Sequence, residues 1–151
     1  MTLAMGTNSA AAYLRTKVMS ARPEELRLLL LEGAAKFARQ AREGLAGKDY
    51  ESSYTGLTSC RAIVLELMSS IRVEIDPDLA DRVRSLYSFV YSELIAIGSE
   101  RNIPRLDKVI ELLDYERETW MLLMAKLADE RAASPGSSSE APASGSISVS
   151  A

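Results

Sequence analysis

The stretch "RPEELRLLLL", residues 22–31, begins a helix and decides the fold. Pro23 suits the first position of a helix, where its missing amide hydrogen costs no hydrogen bond. Glu24 and Glu25 follow in the first turn, where the helix dipole favours negative charge. The four consecutive leucines 28–31 then put apolar side chains on every side of one turn, whereas a surface helix needs a single apolar face. The stretch therefore predicts a helix in a bundle, with apolar surface left over.

Three more helical segments follow the first, separated by short breaks that contain glycine, proline or aspartate. Helices of similar length joined by short connections pack as antiparallel neighbours. We therefore predict an all-α fold, an antiparallel up-down four-helix bundle with an N-terminal arm and a disordered C-terminal tail. The arm covers residues 1–22, the bundle 23–132 and the Ser/Ala/Gly/Pro-rich tail 133–151. The predicted helices span residues 23–44, 49–71, 77–97 (with Asp76 as N-cap and Gly98 after the last turn) and 103–131.

The composition excludes several classes of function. The 151 residues include no histidine and one cysteine, and 18 basic residues face 21 acidic ones. The chain therefore lacks the commonest general base and metal ligand, and it has no basic field for nucleic acid. Glycine-rich phosphate loops are absent too. We expect no enzyme activity, no cofactor, no metal, no nucleic-acid partner and no small-molecule substrate.

Two features of the sequence bear on where in the cell the protein is located. No segment has the run of apolar residues that a membrane-spanning helix needs. The first residues lack the basic start and long apolar run of a signal peptide. We therefore expect a soluble cytoplasmic protein that does not insert into membranes.

More apolar residues occur than single inward faces require. A wide bundle core is one explanation, and a binding surface is the other. The N-terminal segment allows a similar choice, because it is either an apolar arm that shields a groove or an ordinary strap on the bundle. The surplus residues outside the inward faces are Leu28, Leu31, Ala35, Leu65, Phe89, Tyr91 and Ile95.

Five segments in order resemble the FliS family of flagellar secretion chaperones: "AYLRTKV" (12–18), "RPEELRLLLLEGAAKFARQAREGL" (22–45), "LTSCRAIVLEL" (57–67), "LYSFVYSEL" (86–94) and "LDKVIELLDYERETW" (106–120). Two positions depart from the family pattern. Ala11 stands where asparagine is common, and Arg22 replaces a capping serine. The second change should weaken the cap of the first helix by about 0.5–2 kcal/mol.

The resemblance implies a cytosolic export chaperone. It would bind the disordered C-terminal segment of flagellin in apolar grooves, prevent premature polymerisation and aid delivery to a component of the flagellar type III export gate. Such a ligand folds as it binds. A groove residue and a core residue look alike in sequence, so the candidates below are chosen by position. The candidates are Tyr13, Leu14 and Val18 on the arm, and Leu57, Val64, Met68, Leu86, Tyr87, Val90 and Tyr91 along the grooves.

Two alternatives remain at this point. The first is a non-catalytic helical scaffold or regulator that dimerises or binds another helical partner through the same apolar surface. The second is a bundle that holds a metal on carboxylates, for which Glu111, Asp114 and Glu118 have a suitable helical spacing. A line of carboxylates is more typical of a solvated helix face.

Overall fold

A computed structural model describes residues 15–16, 19–20, 22–71 and 77–133. Those residues contain four long helices and no strand, which confirms the predicted bundle of helices. The predicted tail beyond residue 133, most of the arm and Asp76 lie outside them. The helices are α1 (Pro23–Ala46), α2 (Tyr50–Ser69), α3 (Pro77–Glu100) and α4 (Ile103–Ala133).

The chain divides into two compact units, Met1–Arg117 and Glu118–Ala151. The first unit contains α1, α2, α3 and the N-terminal half of α4. The second unit contains the C-terminal half of α4, on which Leu122, Leu123 and Leu127 are exposed.

Ion pairs show the direction of α4 relative to α1. The guanidinium of Arg39 donates a hydrogen bond to Asp114. One turn later on α1, Nε of Arg42 lies 2.6 Å from Oδ1 of Asp107. Residue numbers rise along α1 while those of the partners on α4 fall, so these two helices are antiparallel neighbours.

Other contacts fix the remaining neighbours. Nη2 of Arg27, near the start of α1, donates to Oγ of Ser70 at the end of α2 at 3.2 Å. Nε of Arg105, near the start of α4, donates to Oε1 of Glu93 near the end of α3 at 2.7 Å. Each helix therefore runs opposite to the one before it, which is the predicted up-down order.

Small residues let the backbones of α1 and α2 approach closely. Ala34, Ala38 and Ala41 repeat at helical spacing on α1 and are fully buried. Opposite them, a Cβ atom added to Gly56 would lie 2.7 Å from the backbone nitrogen of Ala41 and 2.7 Å from the carbonyl oxygen of Phe37. Only glycine fits at this crossing, because any side chain would meet backbone atoms that cannot rotate away.

The N-terminus of α1 is capped by a side chain inside the helix, and not by the side chain of the residue that precedes it. The side chain of Arg22 carries only donors and cannot accept a bond from the helix. Instead, the backbone N–H of Arg22 donates to Oε1 of Glu25 at 3.0 Å, which is one half of a capping box. This bond offsets part of the loss predicted for the missing serine.

The end of α3 differs from the prediction. The helix continues past Gly98 to Glu100, and Arg101 takes the left-handed conformation with φ 56°. The N–H of Arg101 donates to the carbonyl of Ile97 at 2.7 Å. The guanidinium of Arg101 also lies 3.8 Å from the ring centre of Tyr50 on α2, and such a cation–π contact helps to offset the strained backbone.

The four leucines that open the first helix divide between core and edge. Leu31 is buried, whereas Leu28, Leu29 and Leu30 are half-buried. The core extends from Leu31 along the alanines of α1. Leu31 and Ala35, expected outside the inward face, are therefore part of a wide core, and Leu28 lies at its edge. Of the other surplus side chains, Tyr91 is half-buried, whereas Leu65, Phe89 and Ile95 are exposed.

Candidate functional site

An apolar groove lies between α3 and α4 within the first unit, and we call it the α3–α4 groove. Its volume of about 530 Å³ lies in the range of small-molecule and side-chain binding sites. It is open to solvent along the surface of the two helices. Its lining residues are Phe89 and Glu93 of α3 and Arg105, Lys108, Val109, Glu111, Leu112 and Tyr115 of α4.

The floor and walls of the groove are apolar. Val109 is buried and Leu112 is half-buried, so these two side chains form the floor. The side chain of Phe89 is 53% exposed and that of Tyr115 is 66% exposed. Large aromatic side chains are costly to leave in water, and aromatic residues beside an apolar depression are typical of interfaces. The groove can therefore accept an apolar side chain from a partner.

The rim of the groove is charged, and ion pairs hold part of it in a fixed geometry. Arg105 donates from Nε and Nη2 to the two carboxylate oxygens of Glu93, at 2.7 and 2.8 Å. Its third nitrogen, Nη1, donates to Glu100 at 2.9 Å. The hydrogen bond from Arg105 holds the pKa of Glu93 below its usual value. This paired geometry fixes the α3 side of the rim.

A buried polar contact lies near the middle of α3, at Tyr87, two residues before Phe89. The hydroxyl of Tyr87 lies 3.4 Å from Oε1 of Glu116 and 3.5 Å from Nη1 of Arg27. Burial, together with the negative charge of Glu116, raises the pKa of Tyr87 to about 12. Burial also raises the pKa of Glu116. These groups join α1, α3 and α4 in the core, and the Tyr87 hydroxyl is not available to a partner.

A second cavity, of about 580 Å³, has a different chemistry. It lies against α1, and Arg117 contributes from α4. Ala35 is its only apolar lining residue, whereas four of the residues that line the α3–α4 groove are apolar or aromatic, so an apolar partner would bury little apolar surface in this cavity. We therefore place the candidate site in the α3–α4 groove and not in this charged cavity, which is lined by Glu32, Ala35, Lys36, Arg39, Gln40, Glu43 and Arg117.

The structure places the predicted partner-binding residues as follows. Tyr13, Leu14 and Val18 lie outside the described residues. None of the other seven lines the α3–α4 groove. Met68, Leu86 and Tyr91 are half-buried, and the other four are core residues in this conformation because each is at most 4% exposed: Leu57, Val64, Tyr87 and Val90.

Sequence reasoning assigned none of the groove residues to partner binding, and it did not single out the apolar residues Leu112 and Tyr115 at all. A signal for them exists, because Lys108, Leu112 and Tyr115 follow one another at intervals of four and three residues. This line runs beside the core line of Leu106, Val109 and Leu113 and was hidden by it. Phe89, in contrast, is recognisable as an apolar residue outside the inward face of its helix.

Other kinds of site find little support in the part of the chain that the structure describes. No group of three or more histidine, cysteine, aspartate or glutamate residues there could hold a metal ion. Cys60 is fully buried, and burial raises the pKa of its thiol to about 12, so the reactive thiolate is disfavoured. None of the helices described is long and apolar enough to cross a bilayer.

Comparison with known proteins adds independent information. The family model described as "Flagellar protein FliS" matches residues 6–127, which include all of the first unit's helices. A flagellar secretion chaperone FliS of Bacillus subtilis (strain 168) is 26% identical over 129 residues, covering 85% of this chain and 96% of the relative. The match extends over most of both chains and over the groove. The chain therefore belongs to the FliS family of flagellar proteins.

Proposed function

We propose that this protein is a non-catalytic export chaperone of the bacterial cytosol that binds the C-terminal segment of flagellin. Binding would keep that segment from polymerising before export and would help deliver it to a component of the flagellar export gate. The observation that carries the proposal is the α3–α4 groove, with Phe89 and Tyr115 exposed above an apolar floor. Membership of the FliS family supports the same function.

The physical basis is recognition of an amphipathic helix by an apolar groove. A disordered segment that folds on binding can bury its apolar face between α3 and α4. The ordering of the segment costs about 2–5 kcal/mol of the gross interaction energy, so binding stays reversible despite a large contact area. Release at the export gate then needs no chemistry by the chaperone.

The proposal is tested by titrating the full chain with the C-terminal segment of flagellin from the same bacterium. We expect a one-to-one complex in calorimetry and an increase in helicity in circular dichroism. A titration that gives neither heat nor added helicity would rule out flagellin binding.

A matched pair of variants tests whether the groove is the site. Tyr115 and Tyr54 are both tyrosines with similar exposure, 66% and 68%, but only Tyr115 lines the groove. Tyr115→Ala should weaken binding about tenfold, the equivalent of about 1.4 kcal/mol, which is moderate for an aromatic contact. Tyr54→Ala should change it less than about twofold. Equal effects of the two changes would place the site elsewhere.

The alternative of a scaffold or regulator makes a different prediction. The exposed leucines of the second unit, Leu122, Leu123 and Leu127, could serve a helical partner or a second copy. In that case light scattering would show a concentration-dependent dimer that is unaffected by flagellin. The predicted arm residues Tyr13, Leu14 and Val18 stay a prediction under either function.

A further inference from the structure

The charged residues around the α3–α4 groove are not equally available to a partner. Arg105 is fully engaged with Glu93 and Glu100, at distances of 2.7 and 2.9 Å. Lys108 and Glu111 are exposed on the same rim, and neither forms an ion pair with any residue that the structure describes. The rim therefore offers one available cation and one available anion.

The available cation stands at a defined distance from the apolar part of the groove. Lys108 precedes Leu112 by four residues and Tyr115 by seven, so the three side chains share one side of α4. At the rise of an α-helix these intervals correspond to about 6 and about 10 Å along the axis. A ligand helix that lies along the groove would meet the ammonium group one to two turns away from the aromatic walls.

We infer that the α3–α4 groove selects a client helix that places a branched aliphatic side chain between Phe89 and Tyr115 and an acidic side chain against Lys108. The inference rests on the proposed function and names the chemistry of its client, an amphipathic helix within the flagellin C-terminal segment. Since client and α4 have the same rise per residue, the two client side chains are about four to seven residues apart. Glu111 disfavours a second acidic side chain beside it.

Charge complementarity is the reason for this choice of client. An aliphatic side chain loses contact with water in the apolar part of the groove, which supplies affinity but little discrimination among apolar sequences. An exposed ion pair adds a smaller energy, yet it distinguishes an acidic flank from a basic one. Lys108 is thus a specificity-determining residue, while the aromatic walls supply most of the binding.

The test compares Lys108→Glu with Lys36→Glu in the full chain. Lys36 is exposed on α1 and lines the charged cavity, so both variants change the net charge equally. Affinity for the flagellin C-terminal segment of the same bacterium is measured by calorimetry at low salt and at about 1 M salt, where the screening length falls to about 3 Å. Lys108→Glu should weaken binding about fivefold at low salt and less than about twofold at high salt. Lys36→Glu should change binding less than about twofold in both conditions.

A reciprocal change in the client sharpens the test. Each acidic residue that lies four to seven positions from an aliphatic one is replaced in turn by lysine. One such replacement should restore the affinity of the Lys108→Glu variant and weaken binding to the wild-type chain. Equal affinities of Lys108→Glu and Lys36→Glu, or the absence of any rescuing client, would overturn the inference. Failure of the wild-type chain to bind the segment at all would instead overturn the proposed function.

Discussion

The α1–α2 pair and the α3–α4 pair are both antiparallel neighbours, but their surfaces differ. Between α1 and α2, small residues such as Ala38 and Gly56 bring the backbones together and leave no room for a ligand. Between α3 and α4, large side chains hold a groove of about 530 Å³ open to solvent. The comparison indicates that side-chain size sets how closely two helices pack, and therefore whether a groove remains between them.

The largest expected effect on stability comes from the core beneath the α3–α4 pair, which we call the open pair. Leu106 is fully buried on α4, close in sequence to the groove-floor residue Val109. Leu106→Ala should lower the free energy of unfolding by about 2–5 kcal/mol, since it removes buried apolar atoms and leaves a cavity. Urea denaturation followed by circular dichroism measures this loss. A cost below about 1 kcal/mol would mean that the open pair contributes little to stability.

A smaller loss of stability is expected from a change between α1 and α2, the closely packed pair. Gly56→Ala would put a methyl group 2.7 Å from two backbone atoms of α1, which forces the helices apart. We expect a cost of about 1–3 kcal/mol in the same denaturation experiment.

Gly98→Ala is the matched control for that change. Gly98 lies inside α3, and a Cβ atom there would lie 3.6 Å from Cδ1 of Leu57 on α2, an ordinary van der Waals contact. This variant should gain about 0.5–1 kcal/mol, because alanine is the better helix former. If both glycine variants proved more stable than the wild type, the close packing of α1 and α2 would be disproved.

The smallest expected effect concerns pH and the buried contact between Tyr87 and Glu116. Burial raises the pKa of Glu116, so the folded state binds this proton more tightly than the unfolded state does. Its contribution to stability is present below the ordinary pKa of glutamate and is lost as the pH rises through the raised value. Glu116→Gln removes this term, so the stability of the variant relative to the wild type should improve as the pH rises from the ordinary pKa of glutamate through the raised value.

Glu93 provides the opposite sign in the same measurement. The hydrogen bond from Arg105 lowers its pKa, so its contribution is lost as the pH falls through the lowered value. Glu116→Gln leaves this term in place. Urea midpoints measured across the range separate the two groups, and parallel curves for variant and wild type would show that Glu116 has no raised pKa.

The sequence predicts helix ends correctly where nearby residues determine them. It does not predict those that depend on contacts with another helix. Pro23 and the acidic first turn locate the start of α1. The second helix begins close to the predicted Asp49, which serves as its N-cap and accepts a bond from the N–H of Ser52 at 3.1 Å. Gly98 looked like the end of α3, but the helix continues to Glu100. The left-handed residue is Arg101, whose contact with Tyr50 on another helix cannot be read from local sequence.

The candidate site could be predicted only in part from the sequence, again because it depends on contacts between helices. Helical periodicity separates an apolar face from a polar one, and it identified Phe89 as surplus. It does not distinguish a residue beneath a neighbouring helix from one beside a groove. Tyr87 and Val90 were therefore expected at the groove and are buried, whereas Tyr115 was not expected there and forms a wall.

By itself, the sequence determined the class of the fold and the family, because helix-start signals, apolar periodicity and the order of segments are properties of the chain alone. Only the tertiary structure decided which apolar residues meet solvent. That outcome depends on the distance between neighbouring helices, which is set by pairs of side chains far apart in sequence. Alanine and glycine bring α1 and α2 together, whereas phenylalanine, leucine and tyrosine line an open groove between α3 and α4, where we propose that a partner binds.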